Sequence, residues 1–370
     1  MHHKLDKKIV NKINLILRRI YLLLYIFICI STLHLNAQIE TDKVFPFLNQ
    51  SNSARMSALG GFTMAEISMD VSQTFANPAL FKADESFPIS FTHQFLLGKT
   101  GIGNLIIGKQ LKWKDVSIHG GIQYADYGTI DGYDDQGVSL GPQSAAEYNF
   151  LIGASTQLYE NLRLGSNLKF INSNLADYNS SALGLDLALA YHIPEGTGTF
   201  GFVVKNLGTQ LNNYASVREV MPVEIQASGS VRLKHLPLRI GLLAHHLQRW
   251  NLLYDNPYDV EQSFSFDDQF AKPEIKQYGF VDNFFRHMVL QAEMSMGKKE
   301  GFKIRMSYNH FKKRQLSVNG FRSLSGFSGG LGLRISKFNF DYGISVYHIA
   351  GSAHTLTLTT DLSSFRKQNL

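Results

Sequence analysis

Phe302-Lys303-Ile304-Arg305-Met306-Ser307-Tyr308-Asn309 puts an apolar side chain at every second position and a polar or charged one between. Successive side chains of a strand point to opposite faces, so the stretch reads as a β-strand with one greasy and one wet face. The same step recurs upstream. Leu183, Leu185, Leu187, Leu189 and Tyr191 alternate with Gly184, Asp186 and Ala188, and Val223, Ile225, Ala227, Gly229 and Val231 alternate with Glu224, Gln226, Ser228, Ser230 and Arg232. Followed outward, the alternation predicts about fourteen strands: 88–97, 101–112, 115–127, 145–158, 161–173, 180–193, 198–206, 222–233, 237–249, 284–297, 301–311, 324–336, 338–348 and 353–362.

A soluble sandwich alternates in the same way, so the connections decide. After every second strand the joint is tight: near Lys114, at Glu160-Asn161, 194–197, Lys234-His235, 298–300 and Lys337. The joints between them (128–144, 174–179, 207–221, 250–283 and 312–323) are long, with short exceptions at 98–100 and 350–352. A sandwich has no reason to sort its loops by parity. A transmembrane barrel does, with short periplasmic turns, long outer loops, an even strand count and an apolar outer face. The sequence therefore predicts an all-β fold, a transmembrane antiparallel barrel occupying 88–370.

Residues 1–37 read as a secretory signal peptide. Lys4, Lys7, Lys8, Lys12, Arg18 and Arg19 precede an apolar run from Tyr21 to Leu35, too short to span a bilayer, and Ala37-Gln38 offers the cut. The segment carries six basic residues and one acid, so totals of 36 and 30 become 30 and 29 and a formal charge of +6 becomes +1. The basic balance belongs to export and does not indicate nucleic acid. The single cysteine, Cys29, leaves with the signal, which excludes a disulfide scaffold. Sec-type export to the outer membrane, in contact with its lipid, is the expectation.

On the predicted lumen face stand Arg163, Lys169, Asp186, Glu224, Arg232, Glu293, Lys303, Arg305, Arg334 and Asp341. Both signs occur in similar number, which reads as a cross-linked polar ladder rather than an ion-selective filter. Aromatics near strand ends, among them Phe95, Tyr124, Tyr127, Tyr148, Tyr159, Tyr308, Phe311 and Tyr347, suit the membrane–water boundary.

Residues 38–87 do not alternate. Ser53-Ala54-Arg55-Met56-Ser57-Ala58-Leu59-Gly60-Gly61 predicts a short helix ending on a glycine cap, and Ala76-Asn77-Pro78-Ala79-Leu80 a turn before the first strand. Phe45, Phe47, Leu48, Leu59 and Phe62 give this segment enough apolar surface to act as a periplasmic plug in the barrel mouth, with Arg55, Leu59, Gly60, Gly61, Asn77 and Pro78 as its key residues.

Phe45-Pro46-Phe47-Leu48-Asn49, Ser53-Ala54-Arg55, Ala58-Leu59-Gly60-Gly61 and Asn77-Pro78-Ala79-Leu80 together resemble the opening of the PorQ family, outer-membrane barrels of the type IX secretion system. That family is related to PorV and to the fourteen-stranded FadL-class barrels. The resemblance implies a non-enzymatic role in an attachment complex. There the barrel would hold a PorZ-like β-propeller protein at the surface, beside PorU- and PorV-like components, and the complex would link exported cargo to surface lipopolysaccharide. The chain departs from many such barrels in ending Arg366-Lys367-Gln368-Asn369-Leu370, without a terminal aromatic.

Several motifs with catalytic spacing do not survive their context. Gly103 to Lys109 has phosphate-loop spacing, but Gln110 follows where Ser or Thr is needed and the stretch lies inside a strand. Gly326-Phe327-Ser328-Gly329-Gly330 matches a nucleophile elbow, yet its glycines read as close packing in a strand. His245 and His246 are adjacent in a predicted strand and are expected to point apart. Asp131 to Gly137 reads as a solvated loop. No catalytic residue, cofactor or metal is expected.

The longest loop, 250–283, mixes Tyr254, Tyr258, Phe264, Phe266 and Phe270 with Asp255, Asp259, Glu261, Asp267 and Asp268. Aromatics rimmed by charge suit a protein-binding patch, so Tyr254, Asp255, Tyr258, Asp259, Phe264, Phe266, Asp267, Asp268 and Phe270 are the candidate partner contacts. Two other functions stay open: a FadL-like transporter of hydrophobic small molecules and a PorV-like cargo shuttle. The transporter needs an apolar lumen pocket and a lateral opening.

Overall fold

In the computed structural model, which describes residues 43–111, 115–194, 198–215, 217–252, 279–297, 300–316, 323–348 and 351–365, the opening octapeptide is a strand, β11 (Phe302–Asn309). Its neighbour β10 (Met288–Met296) sets Glu293 opposite Arg305, and β12 (Phe327–Ile335) sets Gly330 there on the other side. The other strands are β1 (Pro88–Phe95), β2 (Gly101–Gln110), β3 (Val116–Tyr133), β4 (Ser139–Tyr159), β5 (Leu162–Leu175), β6 (Tyr178–His192) and β7 (Gly198–Asn212). They continue with β8 (Glu224–Arg232), β9 (Leu238–Ala244), β13 (Phe338–His348) and β14 (Gly351–Asp361). Each strand pairs antiparallel with its sequence neighbours, and β1 closes on β14 from Pro88↔Asp361 to Phe95↔His354. The result is a closed fourteen-stranded barrel.

Closure leaves no strand edge unpaired, the condition for crossing hydrocarbon. Outward positions are apolar and exposed, as at Ile152, Phe200, Leu290 and Met306, while Asn149, Gln291 and Arg305 on the opposite face are buried. The connections at one end are all short, and the long ones (213–223, 245–287 and 310–326) lie at the other, which assigns the first end to the periplasm and the second to the exterior.

Several boundaries differ from the sequence expectation, and β5 and β6 meet at a tight turn of Ala176 and Asp177 instead of the longer loop expected over 174–179. β3 and β4 run on to Tyr133 and from Ser139, so most of the expected loop 128–144 is a hairpin, with irregularities between Asp126 and Thr129 and between Gly132 and Tyr133. Its polar residues lie beyond the apolar band, where alternation is no longer enforced. β7 likewise runs on to Asn212, into the expected loop 207–221. β9 stops at Ala244 rather than near 249.

The core lies inside the barrel. Val44, Phe45, Phe47 and Leu48 pack against Ile102, Ala125, Ile171 and Ala182, and Val71, Phe75 and Phe81 against Ile106 and Leu151. Ala79 and Leu80 meet Ala188, Ala190 and Val203. Each large side chain so buried contributes about 1.5–3 kcal/mol. The backbone of residue 43 bridges to Val220 in the outer β7–β8 connection, and Phe87 N donates to Asp361 at the periplasmic end. The described part of the plug therefore runs the length of the lumen instead of sitting only at the periplasmic mouth.

Candidate functional site

The plug is organised by helix α1 (Ala54–Ala58). Ser53 is extended and its Oγ accepts from Met56 N, and the chain leaves the helix through Gly60 and Gly61 at φ 87° and 96°, where Gly61 N donates to Met56 O. Small residues bring α1 against the wall: a Cβ on Gly343 would lie 2.3 Å from Ala54 O, and one on Gly330 2.6 Å from Ala58 Cβ. The glycines of the elbow-like motif thus include a packing contact, and Gly103 to Lys109 lies inside β2.

Hydrogen bonds from many strands reach the plug. Gln123 of β3 donates to Phe47 O, Ser155 of β4 to Phe81 O, and Asn167 of β5 to Thr74 O. On the opposite wall, Gln291 of β10 donates to Leu59 O, Ser307 of β11 to Ala58 O, and Ala54 N donates to Thr357 of β14. Asn77 accepts from Ala79 N, capping the turn at Pro78, and its amide faces Phe202 O at 3.5 Å.

Arg55 projects from α1 into a charge cluster. Its guanidinium donates to Glu293 at 2.9 and 3.0 Å and also binds Glu66 of the plug. Glu293 accepts from Arg305 at 2.6 Å, Arg305 bonds Asp341, and Arg239 reaches Glu66 at 3.1 Å. A second cluster joins β5, β6 and β7. Lys169 Nζ lies 2.7 Å from Asp186 and donates to Asn206 Oδ1 at 2.8 Å, while Asp186 also accepts from Asn206 N and Asn167 Nδ2. Here Lys205 and Asn206 together oppose Asp186, a bulge that Asn206 makes at φ 59°. Alternation does not encode it; the Asn at the end of the predicted strand 198–206 is its one signal in the sequence.

Of the expected ladder, Arg163, Lys169, Glu224, Glu293 and Arg305 are buried in the lumen. Arg163 donates to Phe81 O and approaches Asp115 at 3.5 Å. Arg232 is instead half-buried near the periplasmic turns with Glu300, and Lys303 and Arg334 line the periplasmic cavity. They belong to the mouth because their strands end there. Tyr127 also turns from the expected boundary to donate to Glu147, against the plug's apolar cluster. Tyr254, Asp255, Tyr258, Asp259, Phe264, Phe266, Asp267, Asp268 and Phe270, with the signal segment 1–37, lie outside the described residues.

Two cavities flank the plug. The periplasmic one, about 380 Å³, is lined by charges including Arg55, Lys303, Arg334 and Asp361. The outer one, about 290 Å³, is amphipathic, with Met56, Phe62, Phe311 and Leu316 beside Lys205 and Lys312. On its wall the structure corrects the expectation for His245 and His246. Beyond the end of β9, His246 takes φ 55°, and the two rings meet with their Nδ1 atoms 2.5 Å apart. His246 Nε2 lies 3.4 Å from Glu224.

The outer rim carries two further helices where the sequence predicts strand ends and loops, α2 (Phe280–Arg286) and α3 (His310–Gln315), the latter capped by Asn309. Asp282 of α2 accepts from Arg286 at 2.7 Å, from Arg314 at 2.8 Å and contacts His310 at 3.0 Å. Burial opposes its charge, but these hydrogen bonds, His310 first, hold its carboxyl at about 2. The joined helices present Phe280, Val281, Phe285 and Trp250 to solvent.

No protein-family model and no curated protein matches the chain. Solved structures do. The Pseudomonas putida toluene transporter TodX aligns with 10% identity over 84% of this chain and 97% of that one, at a TM-score of 0.50. The monoaromatic hydrocarbon channel CymD aligns with 13% identity over 84% and 96%, also at 0.50. At such identities the likeness is one of fold. Together with the closed fourteen-strand ladder and its apolar exterior, it gives the chain the fold of an outer-membrane β-barrel shared with these structures.

Proposed function

We propose that the barrel is a non-enzymatic docking component of a type IX secretion machine. In this reading it holds a PorZ-like surface protein in the attachment complex, with PorU- and PorV-like components alongside, and the complex joins exported cargo to surface lipopolysaccharide. The observation that carries it is the outer rim: two short helices clamped by Asp282 hold an exposed ledge of Phe280, Phe285 and Trp250 above a plugged lumen. Pre-organised exposed aromatics suit a binding face. The plug motif residues that carry the PorQ-family resemblance support the same reading, and segment 253–278, with Asp267 and Asp268, is proposed to extend the face on its composition alone. The test is mild detergent extraction of a tagged copy with quantification of co-purifying protein. A large surface β-propeller protein is expected in near-equal amount, with recovery falling about tenfold or more in Phe280→Ser/Phe285→Ser. Recovery of a folded barrel alone overturns the reading.

A second reading, a FadL-like transporter of hydrophobic small molecules, is favoured by the outer cavity, whose apolar walls and two lysines would fit an apolar body with an acidic head. The β7 bulge at Asn206 lies at a wall position where a lateral exit could form. Bound lipid in the barrel purified alone would support it.

A further inference from the structure

We propose that Glu224, His245 and His246 form a binding site for a divalent transition-metal ion of the zinc class, on the wall of the outer cavity. One donor atom from each lies within 4.8 Å of the other two. The His245 and His246 Nδ1 atoms are 2.5 Å apart, and His246 Nε2 stands 3.4 Å from Glu224 Oε2. Zinc bonds of about 2.0–2.1 Å place tetrahedral donors roughly 3.4 Å apart, and a turn of the His246 ring that presents one of its two nitrogens to both His245 and Glu224 closes the site.

The surroundings resemble those of a ligand set more than those of a structural histidine pair. His245 is fully buried, with its Nδ1 turned to the Nδ1 of His246. Two neutral rings facing through Nδ1 can share only one proton, whereas a cation uses both lone pairs. Glu224 is held from one side, since its Oε1 accepts from His246 N at 3.0 Å, and this leaves Oε2 toward the His246 ring. Phe62 stacks on His245 at 4.7 Å, and Phe311 lies 5.8 Å from His245 and 5.5 Å from His246, giving the apolar shell that strengthens such sites.

Two imidazoles and one carboxylate select zinc-class ions over calcium or magnesium. The fourth position opens to the cavity, where Lys205 and Lys312 also lie, and this charge favours an anionic donor there. The inference is independent of the docking reading.

The test uses the exported full chain, detergent-solubilised with a non-histidine tag and stripped with chelator. Equilibrium dialysis against Zn²⁺ is expected to retain about one ion per chain, and Co²⁺ to give the intense visible absorption of a tetrahedral site. His246→Ala, and the near-isosteric Glu224→Gln, are each expected to weaken Zn²⁺ binding by about 10–100-fold while the folded barrel persists on a heat-modifiability gel. Zinc retention absent in the wild type, or unchanged in both variants, overturns the proposal.

Discussion

Arg55 in the plug and Glu293 in strand β10 form a two-pronged ion pair, with N–O distances of 2.9 and 3.0 Å, in the interior of the barrel. Glu293 is shared with Arg305, and Arg55 with Glu66, so the pair joins the charges of plug and wall in one network. The plug is thus held by charge as well as by apolar packing.

Arg55→Met should therefore loosen the plug. Removing one partner of a buried pair costs about 3–5 kcal/mol, because the other charge is left uncompensated. Glu293 retains Arg305, which places the expected cost toward the lower end. Planar-bilayer recording should show larger or more frequent openings than the wild type. Adding Glu293→Gln should cost less than the sum of the single changes, a coupling that thermal unfolding in detergent can measure. Unchanged conductance and strict additivity would show that the pair does not hold the plug.

A steric counterpart is Gly343→Val. The new side chain would start 2.3 Å from Ala54 O, on backbone that cannot yield as a flexible side chain would. The barrel should still close, since β13 keeps its ladder to β12 and β14. Helix α1 should be displaced, read as faster protease cleavage near residues 54–61. Gly329→Val on the same sheet is the control, because its Cβ would meet nothing nearer than 3.6 Å.

The strands were legible because the bilayer demands an apolar residue at every outward position. Leu183, Leu185, Leu187 and Leu189 obey without exception and all face outward, exposed on the barrel. Where that demand stops, the pattern fades. The extension of β3 and β4 through Asp131 and Ser139 does not alternate cleanly, mixing Ile130 and Leu140 with glycines and polar residues, and α2 and α3 are each under two turns. In the site, Lys169, Glu293 and Arg305 stand inside as their parity requires. Parity does not tell depth, so Arg232 and Arg334 were indistinguishable from them until the strand ends were known. The meeting of His245 with His246 depends on one left-handed residue, which no alternation encodes.

The rim should respond to acid. The Asp282 carboxyl is depressed to about 2, against about 3.9 for an unfolded aspartate. A depressed carboxyl stabilises fully above its unfolded value and loses that contribution as pH falls through the folded one. Hydrogen exchange of α2 amides, corrected for intrinsic rates, should accelerate between about pH 4 and 2. Asp282→Asn should show the faster exchange already at neutral pH and little further change on acidification. A wild-type profile flat down to pH 2 would remove Asp282 as the clamp.

The Lys169–Asp186 pair separates a requirement for charge from a requirement for filled space. Both side chains are nearly inaccessible, at 2% and 0% exposure, and Asp186 accepts hydrogen bonds from Lys169, Asn167 Nδ2 and Asn206 N, with Lys169 also holding the Asn206 amide oxygen. Lys169→Met keeps the volume and leaves a buried carboxylate short of its cation, a loss of about 3–5 kcal/mol. Lys169→Met with Asp186→Leu removes both charges, and such replacements elsewhere are often neutral or stabilising. Here Asn167 and the backbone of Asn206 would lose their acceptor, so the double variant should recover only part of the loss. Full recovery in thermal unfolding would mean that the β7 bulge persists without its anchor. No recovery would mean that Asp186, by holding Asn206 in its left-handed turn, is needed to shape this wall of the barrel.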